Sequence, residues 1–228
     1  MAVAVAELLR TEEEYLAMER ETDERHEFID GYVFGMAGES QEHGEIVANL
    51  GGILVPQLRG TPCRGRSGNS KIRTGPRPQF ARSQKGMYSY PDFFVICGEL
   101  EFHDEFQDVI TNPTVIFEVL SPSTENYDRG EKFFRYQNWS SSLKDYVLIS
   151  QTSPTIEHFS RLADDSWNYR VYQGLDASFS IKSIKCKLTL AEVYDRVKFP
   201  SDKPAKKRGT KKAAKKKTTP TVKEKRKR

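Results

Sequence analysis

The sequence predicts a mixed α/β domain in α+β order, a central mixed sheet flanked by helices, and three observations predict it. Apolar residues recur at helical spacing near residue 50, a capping box opens a segment near the N-terminus, and Ser121 to Thr124 cap another after residue 120. Between these segments lie short apolar or alternating runs bounded by Gly, Pro, Asn and Asp, which read as strands. The resulting order is helix, hairpin, helix, strands, helix, strands, with no internal repeat. A chain of 228 residues suffices for one ordinary domain, predicted over residues 1–200, with residues 201–228 set apart by composition.

Each element has a local reason. "TEEEYLAMER" places Thr11 three residues before Glu14, a capping box that opens a short helix. "HEFIDGYVFGMAG" reads as a hairpin turning at Asp30-Gly31. Ile46, Val47, Leu50, Ile53 and Leu54 predict a helix over about residues 41–54, with Pro56 helping to end it. "CRGRS" and "KIRT" are short strand candidates, followed by a Pro/Gly/Arg loop, and "SYPDFFVIC" is a strand. Residues 98–113 read as a long loop. "TVIFEVL" is the central strand; Ser121 to Thr124 end it and cap a helix through about Trp139. "DYVLIS", "TIEHFSR", "WNYRVYQ" and "SFSIKSI" are further strands, and Thr189 with Glu192 caps a last helix. Phe133, Phe134, Trp139, Trp167 and Tyr169 read as core or sheet packing.

Charge divides the chain. Residues 201–228 hold 14 Lys/Arg against 2 Asp/Glu, a net of +12. Residues 1–200 therefore carry 22 basic and 30 acidic groups, a net of −8. The tail, rich in lysine and poor in aliphatic residues, is expected to be disordered in isolation and to bind polyanions. Cys63, Cys97 and Cys186 are odd in number and widely spaced. They argue against a disulfide framework and a zinc site and fit a reducing cytosol. The N-terminus lacks a secretory signal and no apolar run approaches a membrane span, so the expectation is a soluble cytoplasmic protein, with association with the nucleoid a variant of it. Neither a GxSxG elbow nor a Walker A loop is present.

The chemistry centres on Glu118, a carboxylate inside the apolar run "PTVIFEVLSPST". An unpaired carboxylate in a sheet interior costs several kcal/mol or stays protonated, so its presence asks for a reason. Asp92, in "YPDFFVI", is the second carboxylate at a strand end. If the two strands are neighbours, the pair repels unless a divalent cation or a shared proton compensates. Mg²⁺, with Mn²⁺ as a substitute, suits two carboxylates, a backbone carbonyl and water. Asp128, Lys132 and Tyr136 follow at i, i+4 and i+8 on one helix face. Spacing alone leaves Asp128 and Lys132 readable either as a surface ion pair or as site residues.

These same blocks carry a resemblance. "HEFIDGYVFGMAG", "SQEHGEIVANL", "YPDFFVI", "PTVIFEVLSPST", "YDRGEKFFRYQ" and "DYVLIS" resemble, in order and spacing, the Uma-type restriction endonucleases of the PD-(D/E)XK nuclease superfamily, over roughly residues 10–175. The resemblance implies a restriction-endonuclease-like core and Mg²⁺-dependent cleavage of DNA. It implies catalytic roles for Asp92, Glu118 and Lys132, and metal binding by Asp92, Glu118 and Glu27. The superfamily's lysine two residues after the second acid is Leu120 here, and Lys132 stands in the substitute position on the next helix. His43, Asp128 and Tyr136 are accessory candidates. "SSLKDYVLIS" departs from the family by lacking a glycine before its strand and an acid after it.

DNA is the implied partner, with no small-molecule cofactor and no membrane. Contacts are expected from a basic stretch at Arg59, Arg64, Arg66, Lys71, Arg73, Arg77, Arg82 and Lys85, and from the tail through Lys211, Lys212, Lys215, Lys216 and Lys217. A homodimer would let a one-site enzyme cut both strands. The competing reading is a non-catalytic nucleic-acid-binding protein on a nuclease fold.

Overall fold

A computed structural model describes residues 9–36, 38–75 and 86–200. Arg77, Arg82, Lys85 and all of the tail lysines lie outside the described residues, so the readings made for them are not addressed by it.

Helix α1 spans Glu12–Glu21 and opens with the expected capping box, Thr11 Oγ1 accepting from the Glu14 N–H at 3.1 Å. Strands β1 (His26–Ile29) and β2 (Tyr32–Gly35) form the hairpin. Asp30 and Gly31 both take positive φ, 52° and 103°, as a type I′ turn requires. Helix α2 spans Gln41–Leu58, longer than its sequence pattern suggested. Pro56 lies inside its last turn, where a missing N–H forfeits a single bond, while buried Leu54 and Leu58 hold that turn to the core.

Strands β3 (Cys63–Ser67), β4 (Lys71–Thr74), β5 (Met87–Ser89) and β6 (Phe93–Cys97) follow. Within "SYPDFFVIC" the expected strand is β6; Ser89 at its start ends β5, which belongs to the other sheet. Pro91 at the junction cannot donate to a ladder, and the chain turns there with Asp92 at the corner. The expected loop over 98–113 contains strand β7 (Val109–Ile110), which pairs in parallel with β4. Strand β8 spans Val115–Leu120 and is buried throughout. The helical run after it is broken into α3 (Glu125–Tyr127), a π turn (Asp128–Lys132) and α4 (Phe133–Trp139). Strands β9 (Asp145–Ser150), β10 (Thr155–Arg161), β11 (Trp167–Gln173), β12 (Ser178–Ile181) and β13 (Cys186–Thr189) precede α5 (Leu190–Val193), whose capping box is formed as predicted.

A six-stranded mixed sheet, ordered β11-β10-β9-β8-β6-β3, is the centre of the molecule; β8 and β9 run parallel and its other pairs are antiparallel. A five-stranded sheet, β2-β1-β5-β4-β7, faces it. Alternation along β8 assigns its two faces. Val115, Phe117 and Val119 pack beneath Ile46, Leu50 and Leu54 of α2, whereas Ile116 and Leu120 pack with Phe94, Tyr136 and Tyr146 between the sheets. Glu118 shares the second face, so its carboxylate points into the space between the sheets. On the far side, Tyr15 and Leu16 of α1 close a small core with Phe28 and Tyr88.

Two expectations need correction here. Cys63 and Cys97 form a disulfide, against the reading of three unpaired thiols. Antiparallel pairing of β3 with β6 sets Cys63 directly opposite Cys97, an adjacency that a separation of 34 residues conceals. Cys186 is free and buried. Phe134 was expected in the core and is 53% exposed, on the outer side of α4, while Tyr169, 51% exposed, still packs against Phe159 with ring centroids 4.7 Å apart and planes tilted by 33°. No helix among the described residues is long and apolar enough to cross a membrane.

Candidate active site

Four elements bring the predicted residues together at one end of the central sheet. The ladder of β6 and β8 pairs Phe93 with Phe117, which makes Asp92 the next position opposite Glu118. Beyond the start of β6, the Val119 N–H is taken up by Asp92 Oδ2 at 2.7 Å, so the carboxylate itself extends the strand pairing and is fixed by it. Glu27 on β1 occupies the face of the second sheet that looks across at β8. The π turn then delivers Lys132, whose Nζ lies 2.9 Å from Glu118 Oε1, 3.2 Å from Glu27 Oε1 and 3.6 Å from Asp128 Oδ1. π turns are uncommon and concentrate at functional sites. This one aims Asp128 and Lys132 inward, both buried, rather than leaving them as a solvated ion pair.

The electrostatics are those of a crowded carboxylate pocket. Burial pushes the Glu118 carboxyl well above the usual carboxylate range; Lys132 opposes this, and the nearby Asp128 and Asp92 reinforce it. Burial likewise raises Asp128. Burial alone would lower the Lys132 amine, but the carboxylates of Glu118 and Glu27 outweigh it and hold the amine above its ordinary value. Lys132 Nζ, shared with Glu27 and Asp128, reaches Glu118 Oε1 at ion-pair distance. That buried oxygen has no hydrogen-bond partner among the described residues. An orphaned carboxylate oxygen in a pocket with surplus negative charge suits a divalent cation, and Mg²⁺ habitually uses only one or two carboxylates plus water and substrate oxygens. Asp92 and Glu118 fit that habit. No group of three or more His, Cys, Asp or Glu side chains is poised to hold a metal among the described residues, and Glu27 is engaged by Lys132.

His43 enters from the first turn of α2. Its Nε2 lies 3.2 Å from Asp92 Oδ2 and its Nδ1 2.9 Å from Glu39 Oε2. Burial would lower its pKa, but the two carboxylates outweigh burial and raise it. His43 thus bridges two carboxylates, and its contact with Asp92 helps to orient that side chain. Tyr136 is fully buried and its hydroxyl is paired with Ser89 Oγ at 2.9 Å, which leaves it in the packing beneath the site. Leu120 points into the core, as its apolar character demands.

Gln151 was not visible in the sequence as a site residue. It donates through Nε2 to the Leu120 carbonyl at 2.9 Å, and its Oε1 accepts from Ser40 Oγ at 2.7 Å. Ser40 also accepts the His43 N–H at 3.1 Å. This bridge ties the start of α2 to the end of β8 and hence His43 to the strand of Glu118. No local motif announces it, whereas Glu39, at i−4 from His43 across a helix start, was a readable pair.

The basic stretch divides. Arg64 and Arg66 are exposed on edge strand β3, on the same sheet face as Asp92 and Glu118. Lys71 and Arg73, also expected to contact DNA, do not join them. Lys71 is buried, with Nζ 3.5 Å from Asp108, and Arg73 is taken up by Glu12 and the Tyr88 hydroxyl. Strand β4 lies in the interior of the second sheet, and its alternation turns both side chains toward α1 and the β7 loop.

Fold and site together define a class: a mixed α/β, restriction-endonuclease-like fold with carboxylates on two adjacent strands and a lysine on the following helix. The Uma2 family, described as "Putative restriction endonuclease", matches residues 12–191, and the chain belongs to this family. Two uncharacterized proteins of Synechocystis sp. are similar to it. One is 35% identical over 187 residues, covering 82% of this chain and 92% of the relative; the other is 32% identical over 185 residues, covering 81% and 99%. The crystal structure of a "putative nuclease belonging to DUF820" from Anabaena variabilis superposes with a TM-score of 0.63 at 14% identity, covering 81% of this chain and 97% of that one. At that identity the likeness speaks for the fold.

Proposed function

We propose that this protein is a Mg²⁺-dependent endonuclease that hydrolyses DNA phosphodiester bonds. The observation that carries the reading is the convergence of Asp92 and Glu118, from adjacent strands, with Lys132 Nζ 2.9 Å from Glu118. Asp92 and Glu118 would hold the cation. When bound, such an ion supplies positive charge to the phosphodiester and acidifies water at the site. The remaining work belongs to the chain. Asp92 is held in place by the Val119 N–H and by His43, so its oxygens stay directed at the strand end. Glu118 gains rigidity from a strand buried along its whole length. Lys132 offers an ammonium to a phosphoryl oxygen as negative charge develops there.

Residues 1–200 would form the nuclease domain, and residues 201–228 would act as a basic arm that raises the local concentration of DNA without selecting a sequence. Arg64 and Arg66 would add contacts beside the site. Family membership favours nuclease chemistry over the alternative of a non-catalytic DNA-binding protein.

Purified protein with Mg²⁺ or Mn²⁺ is expected to nick or linearise plasmid DNA. Asp92→Ala and Glu118→Ala are expected to abolish cutting while leaving DNA binding largely intact. Equal cutting by wild type and both variants, or cutting by none of the three, refutes the proposal. Linearisation without a nicked intermediate would point to a homodimer acting on both strands; nicks that accumulate first would point to single copies.

A further inference from the structure

The carboxylates of the site outnumber the cationic groups that face them. Lys132 Nζ contacts Glu118, Glu27 and Asp128, and Asp92 adds a fourth carboxylate whose cationic neighbour is His43. The side chains of Lys132, Glu118 and Asp128 are 6%, 4% and 5% exposed, so little water is at hand to screen the imbalance. An excess of one sign in such a space persists only when protons or a cation make up the difference. Lys132 is also not seated as a permanent structural partner of any one acid. It is shared among three, and its approach to Glu118 leaves Oε1 without a hydrogen bond.

We propose that the Lys132 ammonium is the resting counter-ion of this pocket, and that Lys132 and a divalent cation compete for that single role. The inference rests on the metal-dependent reading above and names what sets the strength of metal binding. A cation held by Glu118 at about 2.1 Å would lie within roughly 5–7 Å of an ammonium that touches the same carboxylate. Like charges so placed, with little solvent between them, repel strongly. Lys132 therefore lowers the affinity of the DNA-free protein for its cation while keeping the metal-free pocket stable. The opposite role, in which Lys132 positions Glu118 for the metal, would make removal of the ammonium weaken metal binding.

Calorimetric titration of Mn²⁺ into the DNA-free, full-length protein separates these roles, with Lys132→Met to remove the charge and Lys132→Arg to keep it. Lys132→Met is expected to bind Mn²⁺ at least about tenfold more tightly than wild type, and Lys132→Arg within about threefold of it. Without metal, Lys132→Met is expected to melt below wild type, and saturating Mn²⁺ is expected to raise its melting temperature by more than that of wild type. If the variant does not fold alone, millimolar Mn²⁺ is expected to restore its far-ultraviolet circular dichroism, because the cation replaces the missing charge. A Lys132→Met protein that binds Mn²⁺ no better than wild type, or that stays unfolded in millimolar Mn²⁺, overturns the competition and leaves the metal reading standing. Folded wild type and variants that all fail to bind Mn²⁺ would overturn both.

Discussion

Replacing Glu118 with glutamine separates a functional carboxylate from a structural one by the sign of a stability change. Glu118 is 3% exposed and sits in the middle of the most buried strand of the central sheet. Taking a carboxylate out of water costs several kcal/mol per ion, and the attraction of Lys132 repays this only where geometry is good. Here one ammonium is divided between three carboxylates, Glu118, Glu27 and Asp128, so the attraction available to any one of them is partial. Glutamine has the same shape without the charge, and Lys132 keeps two carboxylates after the change. Glu118→Gln is therefore expected to stabilise the metal-free protein by an amount on the order of 1 kcal/mol or more, since removing imperfectly compensated buried charge is often neutral or stabilising by about 1–4 kcal/mol. For a domain of this size that raises the melting temperature by roughly 2–4 °C per kcal/mol. Chemical denaturation with a chelator present measures the free energy, and the plasmid assay on the same samples should show cleavage lost. If Glu118 were instead the keystone of a buried ion pair, removing its charge would destabilise by about 3–5 kcal/mol. A loss of that size would refute the reasoning.

Four further outcomes are expected. Reducing Cys63–Cys97, or Cys63→Ser, should lower stability by about 2–4 kcal/mol through the unfolded chain, read as a shift in urea midpoint with and without reductant. Asp108 is held below its ordinary pKa, first by hydrogen bonding from Arg20, with Lys71 and Arg20 charges adding to it against burial. Its folded pKa is depressed, so its contribution is present above the unfolded value of about 3.9 and disappears as pH falls through the lower folded value. Because the pair is partly exposed, the contribution should not exceed about 1 kcal/mol, and Arg20→Gln should flatten the acid limb of a stability–pH curve by that amount. Truncation after Pro200 should weaken DNA binding and reduce its salt dependence. A tail engaging about six phosphates would account for a loss of ~10³ in affinity between 50 and 200 mM salt. Arg64→Ala and Arg66→Ala should each lower the salt slope by about one, whereas Lys71→Gln should leave it unchanged, since Lys71 is buried.

Local chemistry made much of this protein readable from its residues. The capping boxes at Thr11 and Thr189 and the Asp30-Gly31 turn depend on neighbours within three residues, and each formed as expected. The strand character of "TVIFEVL" and the oddity of Glu118 within it were equally plain, because a charge inside an apolar run stands out without any partner. Leu120, where a lysine would have been informative, and Lys132, one helix later, could also be named from the order of the blocks. The end of one strand at Ser89 and the start of the next at Phe93, the disulfide between Cys63 and Cys97, the burial of Lys71 and the pairing of Arg73 with Glu12 were not visible, since each depends on which elements become neighbours.

By itself, then, the amino-acid sequence determined that Glu118 carries a charge into an apolar strand and where the chain caps and turns. Only the tertiary structure decided that Asp92 faces Glu118, that Lys132 meets three carboxylates, and that Gln151 binds the start of α2 to the end of β8. The reason is physical. Hydrogen bonds that cap and turn the chain close over a few residues and are written locally. The electrostatics of the pocket depend on charges brought together across about a hundred residues by the pairing of two sheets, and the separations and burial that this pairing sets, together with the charges themselves, fix their energy.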